Sequence, residues 1–225
     1  MDRNISFFNY SDLFLKHEKE LLDIFQSVGE KGAFIMQQEL SDFESNIADY
    51  TGAKFVLGVA NATDAIQLLL KAGGVGPGDE VIFCSHTMVA TASAIAFTGA
   101  TPVPVEVGSN HLIDPESIKG AITSKTKAII PTQLNGRIAN MDEILDIANE
   151  YNLQIYEDSA QALGAKYKGQ SAGTFGLGGC ISFYPAKTLG CLGDGAAVLK
   201  NEKDIYNQIK LMRDHGRGDD GNVSI

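Results

Sequence analysis

The sequence predicts an α/β fold with a mostly parallel central sheet flanked by helices. Two observations carry that prediction. Short apolar, strand-like segments alternate with stretches of helical periodicity along most of the 225 residues, a pattern that sets successive strands parallel and puts helices over the sheet. The chain is also 44% apolar, enough for a sizeable core in one large domain with a small appendage.

Each element has a local reason. Residues 11–30 carry Leu13, Phe14, Leu21, Leu22, Ile24 and Phe25 among charges, the pattern of an amphipathic helix. Ser41, followed three residues on by Glu44, reads as a capping box opening a second helix that runs to about Tyr50. Strands are expected at 54–59, 80–83, 102–105, 127–131, 153–157, 178–183 and 196–199, and helices at 62–72, 88–97, 114–122, 142–151 and 204–213. Asp114-Pro115 supplies an N-cap with proline at the first helical position. The expected organisation is an N-terminal helical segment, 1–30, followed by one large domain, 31–225.

Charge and composition exclude several classes. A net charge of −10 leaves no basic stripe to neutralise phosphates, which argues against nucleic-acid or anionic-membrane binding. Cys84, Cys180 and Cys191 are odd in number and lack metal-ligand spacing, so buried reduced thiols are expected rather than a disulfide scaffold or zinc site. The start of the chain has no signal-like apolar region, and no run of about 18 apolar residues occurs. A cytoplasmic protein is expected.

The chemistry is concentrated in two segments. Leu153-Gln154-Ile155-Tyr156 reads as a buried strand, and Glu157-Asp158-Ser159-Ala160-Gln161 follows it. A second apolar strand, Cys180-Ile181-Ser182-Phe183, leads through Tyr184-Pro185-Ala186 to Lys187 and a glycine-rich stretch. A strand-end Asp is commonly a turn former and a lysine near glycines commonly a surface residue. Here, however, both leave strands at carboxyl ends, where open α/β sheets place ligands. A carboxylate and a lysine sharing one rim is what pyridoxal phosphate (PLP) chemistry needs: an anion for the pyridinium nitrogen and an amine for the aldehyde. In Gly58-Val59-Ala60-Asn61-Ala62-Thr63-Asp64-Ala65 a strand enters a helix whose first amides and Thr63 hydroxyl suit a phosphate; simple capping by Asn61 or Thr63 is the competing reading. The glycines of Gly73-Gly74-Val75-Gly76-Pro77-Gly78 do not match a dinucleotide fingerprint.

These segments, together with His86-Thr87-Met88-Val89-Ala90-Thr91-Ala92 and Thr98-Gly99-Ala100-Thr101-Pro102-Val103, resemble in order the large domain of the DegT/DnrJ/EryC1/StrS sugar aminotransferases, PLP enzymes of the aspartate-aminotransferase fold type. The resemblance runs from Phe34 to Arg217. It implies that Lys187 bonds the cofactor and shuttles protons, that Asp158 pairs with the ring nitrogen, and that Gln161 bonds the ring oxygen. Ala62, Thr63 and Ser182 would form the phosphate cup. Met88 stands where many members place a stacking aromatic, and Gln133 where histidine is frequent, so substrate choice or geometry is expected to differ there. His86 precedes the cofactor-facing turn.

The implied function is amination of a nucleotide-linked keto-sugar, with an amino acid such as glutamate as donor, by a homodimer. Relatives continue into a smaller C-terminal domain, so the sequence reads as a truncated enzyme. The alternatives are a non-catalytic or regulatory fragment, or another PLP reaction on the same scaffold.

Overall fold

The structure, a computed structural model, describes residues 7–218 and Val223. The chain divides into two compact units, Met1–Phe43 and Glu44–Ile225. In the first, helix α1 (Tyr10–Lys31) starts where the Asn9 side chain accepts the Asp12 amide and ends at Gly32, in the left-handed conformation that glycine adopts without strain. Its apolar residues Leu22, Ile24 and Phe25 are exposed.

Helix α2 spans Gln38–Thr51. The expected capping box at Ser41 is not used, because the Ser41 amide already bonds the Gln37 carbonyl inside the helix. The three-residue spacing of a capping box also occurs within any helix. Here Glu44 is drawn to tertiary partners instead: its Oε1 accepts the Gly58 amide at 2.8 Å and pairs with the Arg213 guanidinium, which also donates to the Gly58 carbonyl at 3.1 Å.

From Glu44 onward, strands and helices alternate as β1 (Phe55–Val59), α3 (Ala62–Ala72), β2 (Glu80–Cys84), α4 (Val89–Ala96), β3 (Thr101–Val105), α5 (Pro115–Ala121), β4 (Thr126–Ile130), α6 (Met141–Tyr151) and β5 (Gln154–Asp158). A short hairpin, β6 (Lys166–Tyr167) and β7 (Gln170–Ser171), precedes β8 (Gly178–Ser182), β9 (Ala196–Lys200) and α7 (Lys203–Arg213). Every strand and helix expected from the periodicity is present within a few residues. Asp114 caps α5 by accepting the Ser117 amide at 3.2 Å, with Pro115 in the first turn.

Seven strands form one sheet in the order β1-β9-β8-β5-β4-β2-β3. Strands β3, β2, β4, β5 and β8 are parallel, while β9 runs antiparallel to both β8 and β1. Two reversals restore the original direction, so β1 points the same way as β8. Side-chain alternation splits the core in two. Val81, Phe83, Ala128, Ile130 and Tyr156 pack with α3, α4 and α7 through Ile66, Leu69, Ile95 and Ile209. Ile82, Cys84, Ile129 and Ile155 pack on the other face with Ile118 of α5 and Met141, Ile144 and Ile147 of α6.

The Glu44–Arg213 pair ties α2 and α7 to β1, and both side chains are largely buried. Removing one partner strands the other charge, so Glu44→Ala is expected to cost about 3 kcal/mol of stability; a denaturant midpoint unchanged from wild type would contradict this role.

Candidate active site

Sheet register brings the candidate residues to one rim. Val59 at the end of β1 and Ser182 at the end of β8 both pair with Ala196, so the two strand ends lie about 10 Å apart across one intervening strand. Asp158 pairs with Cys180, two residues before Ser182. The start of α3, the end of β5 and the loop after β8 therefore share the carboxyl edge. Lys200, by contrast, pairs with Phe55 at the opposite edge, where its ammonium donates to the Leu177 carbonyl and to Glu202 at 2.7 Å.

Asp158 is buried, on the side of the sheet that α3 and α4 cover. Its Oδ2 accepts the Thr91 hydroxyl at 2.5 Å, and its Oδ1 the Ala160 amide at 3.2 Å and, more weakly, the Cys180 thiol at 3.8 Å. Burial first, and then the neighbouring carboxylate charge, hold the Cys180 thiol well above its usual value, so it remains a protonated donor. Behind Thr91 stand two more hydroxyls, with Thr87 Oγ1 at 2.7 Å from Thr91 Oγ1 and Thr132 Oγ1 at 3.1 Å from Thr87 Oγ1. None of these threonines stood out in the sequence analysis. The signal available was the closeness of Thr87 and Thr91 in sequence, one just before the α4 N-cap and the other in its first turn.

Gln133 does not face this edge. It is fully buried, with its amide nitrogen donating to Glu157 Oε2 at 2.7 Å and its oxygen accepting the Ala139 amide at 2.8 Å. Gln133 thus serves as a packing partner of Glu157, whose side chain points to the opposite side of the sheet from Asp158. Glu157 also accepts the Phe175 amide at 2.7 Å and the Ser159 hydroxyl at 3.3 Å. Desolvation outweighs these donors and pushes Glu157 up to about 7 from the usual 4.5.

The amides of Ala62 and Thr63 open α3, with the Asn61 side chain accepting the Asp64 amide at 2.9 Å and the Asn61 carbonyl the Ala65 amide at 3.1 Å; this leaves the first two amides directed outward at the helix start. Ser182 Oγ accepts the Tyr184 amide at 3.2 Å. Lys187 is half-buried in the loop after β8, its amide bonded to the Tyr184 carbonyl at 2.8 Å. That loop closes tightly: the Cys191 amide bonds the Phe183 carbonyl at 2.7 Å, and a Cβ on Gly190 would lie 2.3 Å from the Pro185 oxygen. Met88 is the N-cap of α4; its sulfur accepts the Ala90 amide at 3.1 Å and its side chain is exposed. Gln161 Oε1 accepts the Asn135 amide at 3.2 Å. His86 is exposed, with Nδ1 3.2 Å from the His111 carbonyl. Cys84 and Cys180 are buried free thiols as expected, but Cys191 is only partly covered, since it lies in the glycine-rich loop.

The Glu157 shift has a signed consequence. Between about 4.5 and about 7 the folded chain holds a proton on Glu157 that the unfolded chain has released, so this group makes stability fall as pH rises through that window. The full effect is about 3 kcal/mol. Glu157→Gln, which cannot ionise, is expected to flatten the loss of thermal stability between pH 5 and pH 8; parallel curves for the two proteins would remove Glu157 from that dependence.

The sequence profile of the DegT/DnrJ/EryC1/StrS aminotransferase family matches residues 16–224. A UDP-2-acetamido-2-deoxy-3-oxo-D-glucuronate aminotransferase from Pseudomonas aeruginosa is 42% identical over 193 residues, covering 85% of this chain and 54% of that protein. Among solved structures, that of S. venezuelae DesV in complex with a ketimine intermediate superposes with a TM-score of 0.94 at 36% identity, over 100% of this chain and 61% of the other. NtdA from Bacillus subtilis with bound cofactor PMP has a TM-score of 0.84 at 30% identity, over 96% of this chain and 50% of the other. The chain thus spans about half the length of the curated relatives it matches. With the profile covering nearly all of its residues and the sheet superposing end to end, the chain belongs to the DegT/DnrJ/EryC1/StrS aminotransferase family.

Proposed function

We propose that this chain carries the PLP-binding part of an aminotransferase that places an amino group on a nucleotide-linked keto-sugar, with an amino acid such as glutamate as donor. The observation that carries the reading is a buried carboxylate, Asp158, at the carboxyl end of β5, beside the strand whose end leads to Lys187. The relative named as a UDP-sugar aminotransferase supports the substrate class, and the NtdA structure with PMP supports the cofactor.

The residues present fit PLP. The open amides of Ala62 and Thr63 with the Ser182 hydroxyl suit its phosphate, and Asp158 suits a protonated ring nitrogen. When bound, the cofactor supplies an electron sink for the pair released as a C–H bond breaks next to the transferred nitrogen. Asp158, at the end of β5, would face the ring nitrogen and help keep its proton in place. The Lys187 amine takes the proton from the reacting carbon and returns it, as a positioned general base and acid. Gln161 would hold the ring oxygen, and Met88 would offer a thioether to the ring. Within this reading, the second unit, Glu44–Ile225, is the body of the cofactor domain.

Reconstitution tests the reading. After addition of PLP and borohydride, peptide mapping is expected to find the pyridoxyl group on Lys187; its presence on Lys71, Lys166 or Lys200, or no bound cofactor at all, would overturn the assignment. We further propose a symmetric homodimer, supported by the exposed apolar residues of α1. Light scattering at micromolar concentration is expected to give twice the chain mass, and a monomer unchanged by PLP would refute it.

A further inference from the structure

We propose that Thr91, backed by Thr87 and Thr132, is the positioning residue for Asp158: a one-way chain of hydroxyls that fixes the carboxylate's orientation. The proposal rests on the PLP reading above and adds residues that the reading does not require.

Proton counting sets the direction of the chain. A threonine hydroxyl has one proton to donate and can accept others, whereas an ionised carboxylate only accepts. The Thr91 proton goes to Asp158 Oδ2 at 2.5 Å, so across the 2.7 Å contact with Thr87, Thr91 must accept. Thr87 then has no proton left for Thr132, and Thr132 donates to it at 3.1 Å. All three hydroxyl dipoles point toward one oxygen. Turning the Thr91 proton away from Oδ2 would require the whole chain to turn around. Hydrogen bonds in such a chain polarise one another, and more so in a dry interior.

Its members come from three separate elements: Thr91 from α4, Thr87 from the loop after β2, and Thr132 from the segment after β4. Backbone bonds hold the ends in place. Asp158 and Thr132 form a parallel bridge, with the Gln133 amide on the Asp158 carbonyl at 2.8 Å and the Asp158 amide on the Pro131 carbonyl at 3.1 Å. Thr91 is fully buried, and Asp158 and Thr132 nearly so. Thr87 is half-buried, so water is kept from the Thr91–Asp158 bond in particular, and the carboxylate cannot rotate without breaking it. A ring nitrogen that needs a fixed anion is served by an oxygen pinned in this way.

Isosteric variants test it. Thr91→Val removes the hydroxyl at nearly constant shape, and Thr91→Ser keeps it. With the same chain titrated with PLP, Thr91→Val is expected to weaken binding by about tenfold, the worth of one hydrogen bond to a charged group, and to shift the visible absorbance maximum of the bound cofactor, while Thr91→Ser restores both. Thr132→Val, at the far end of the chain, is expected to move both in the same direction by less. In the cofactor-free protein, Thr91→Val and Asp158→Asn together are expected to lower the melting temperature by less than the sum of the single changes. Valine and serine variants that bind PLP alike with unshifted spectra, or an additive melting cycle, overturn the proposal while leaving the PLP reading intact. A wild-type chain that takes up no PLP overturns the reading, and the proposal falls with it.

Discussion

Two consecutive carboxylates at the end of one buried strand impose the constraint that the rest of the site answers. Because side chains alternate along β5, Glu157 and Asp158 enter opposite layers of the domain, and each needs its own set of donors. Glu157 is met by Gln133, Ser159 and the Phe175 amide on the α5–α6 side. Asp158 is met by Thr91, Ala160 and Cys180 on the α3–α4 side. An unsatisfied buried carboxylate would cost several kcal/mol, a large fraction of a domain's net stability. The positions of α4, of the 131–133 segment and of the loop before β8 are thereby coupled to this one strand end.

The strand order serves the same end. Parallel β4, β5 and β8 bring three carboxyl ends together without any hairpin crossing the edge, and antiparallel β9 returns the chain so that β1 rejoins the sheet pointing toward that edge. The start of α3 then lies beside Ser182 although the two are far apart in sequence. Glycine is required where backbone passes close. Gly190 closes the Lys187 loop against Pro185, and Gly179 on β8 leaves room for Glu157, whose Cβ would lie 2.9 Å from an added methyl group.

Periodicity and turn chemistry in the sequence were sufficient for the strands, the α5 cap and the placement of Asp158 and Lys187 after apolar strands, because these depend on neighbours a few residues away. Properties that depend on which side of the sheet a residue faces were not legible. Gln133 stands where the resemblance leads one to expect histidine, yet its hydrogen bonding follows from Glu157, twenty-four residues on and across a strand pair. Ser41 and Glu44 matched a local motif whose acidic member was claimed by Gly58 and Arg213. The threonine chain joins positions 87, 91, 132 and 158, and only Thr87 and Thr91, four residues apart around the start of α4, lie close in sequence.

The kind of donor around Asp158 matters as much as the number. A hydroxyl, an amide and a thiol all stabilise an anion by hydrogen bonding, and none of them neutralises it. A lysine or arginine in the same place would have satisfied the carboxylate as well, but would have left it with little attraction for a further cation. Neutral donors in a dry layer keep both the charge and its orientation available at the edge. Under the proposed function that remaining charge is what a protonated ring nitrogen would meet. In the Glu157 network on the other layer, desolvation outweighs the donors from Phe175, Gln133, Gly173 and Ser159, and the group is raised to about 7. Adjacent residues of one strand are thus put in different settings by the layers that receive them, Glu157 as an interior tie for the backbone and Asp158 as a carboxyl group pinned by neutral donors at the strand's end.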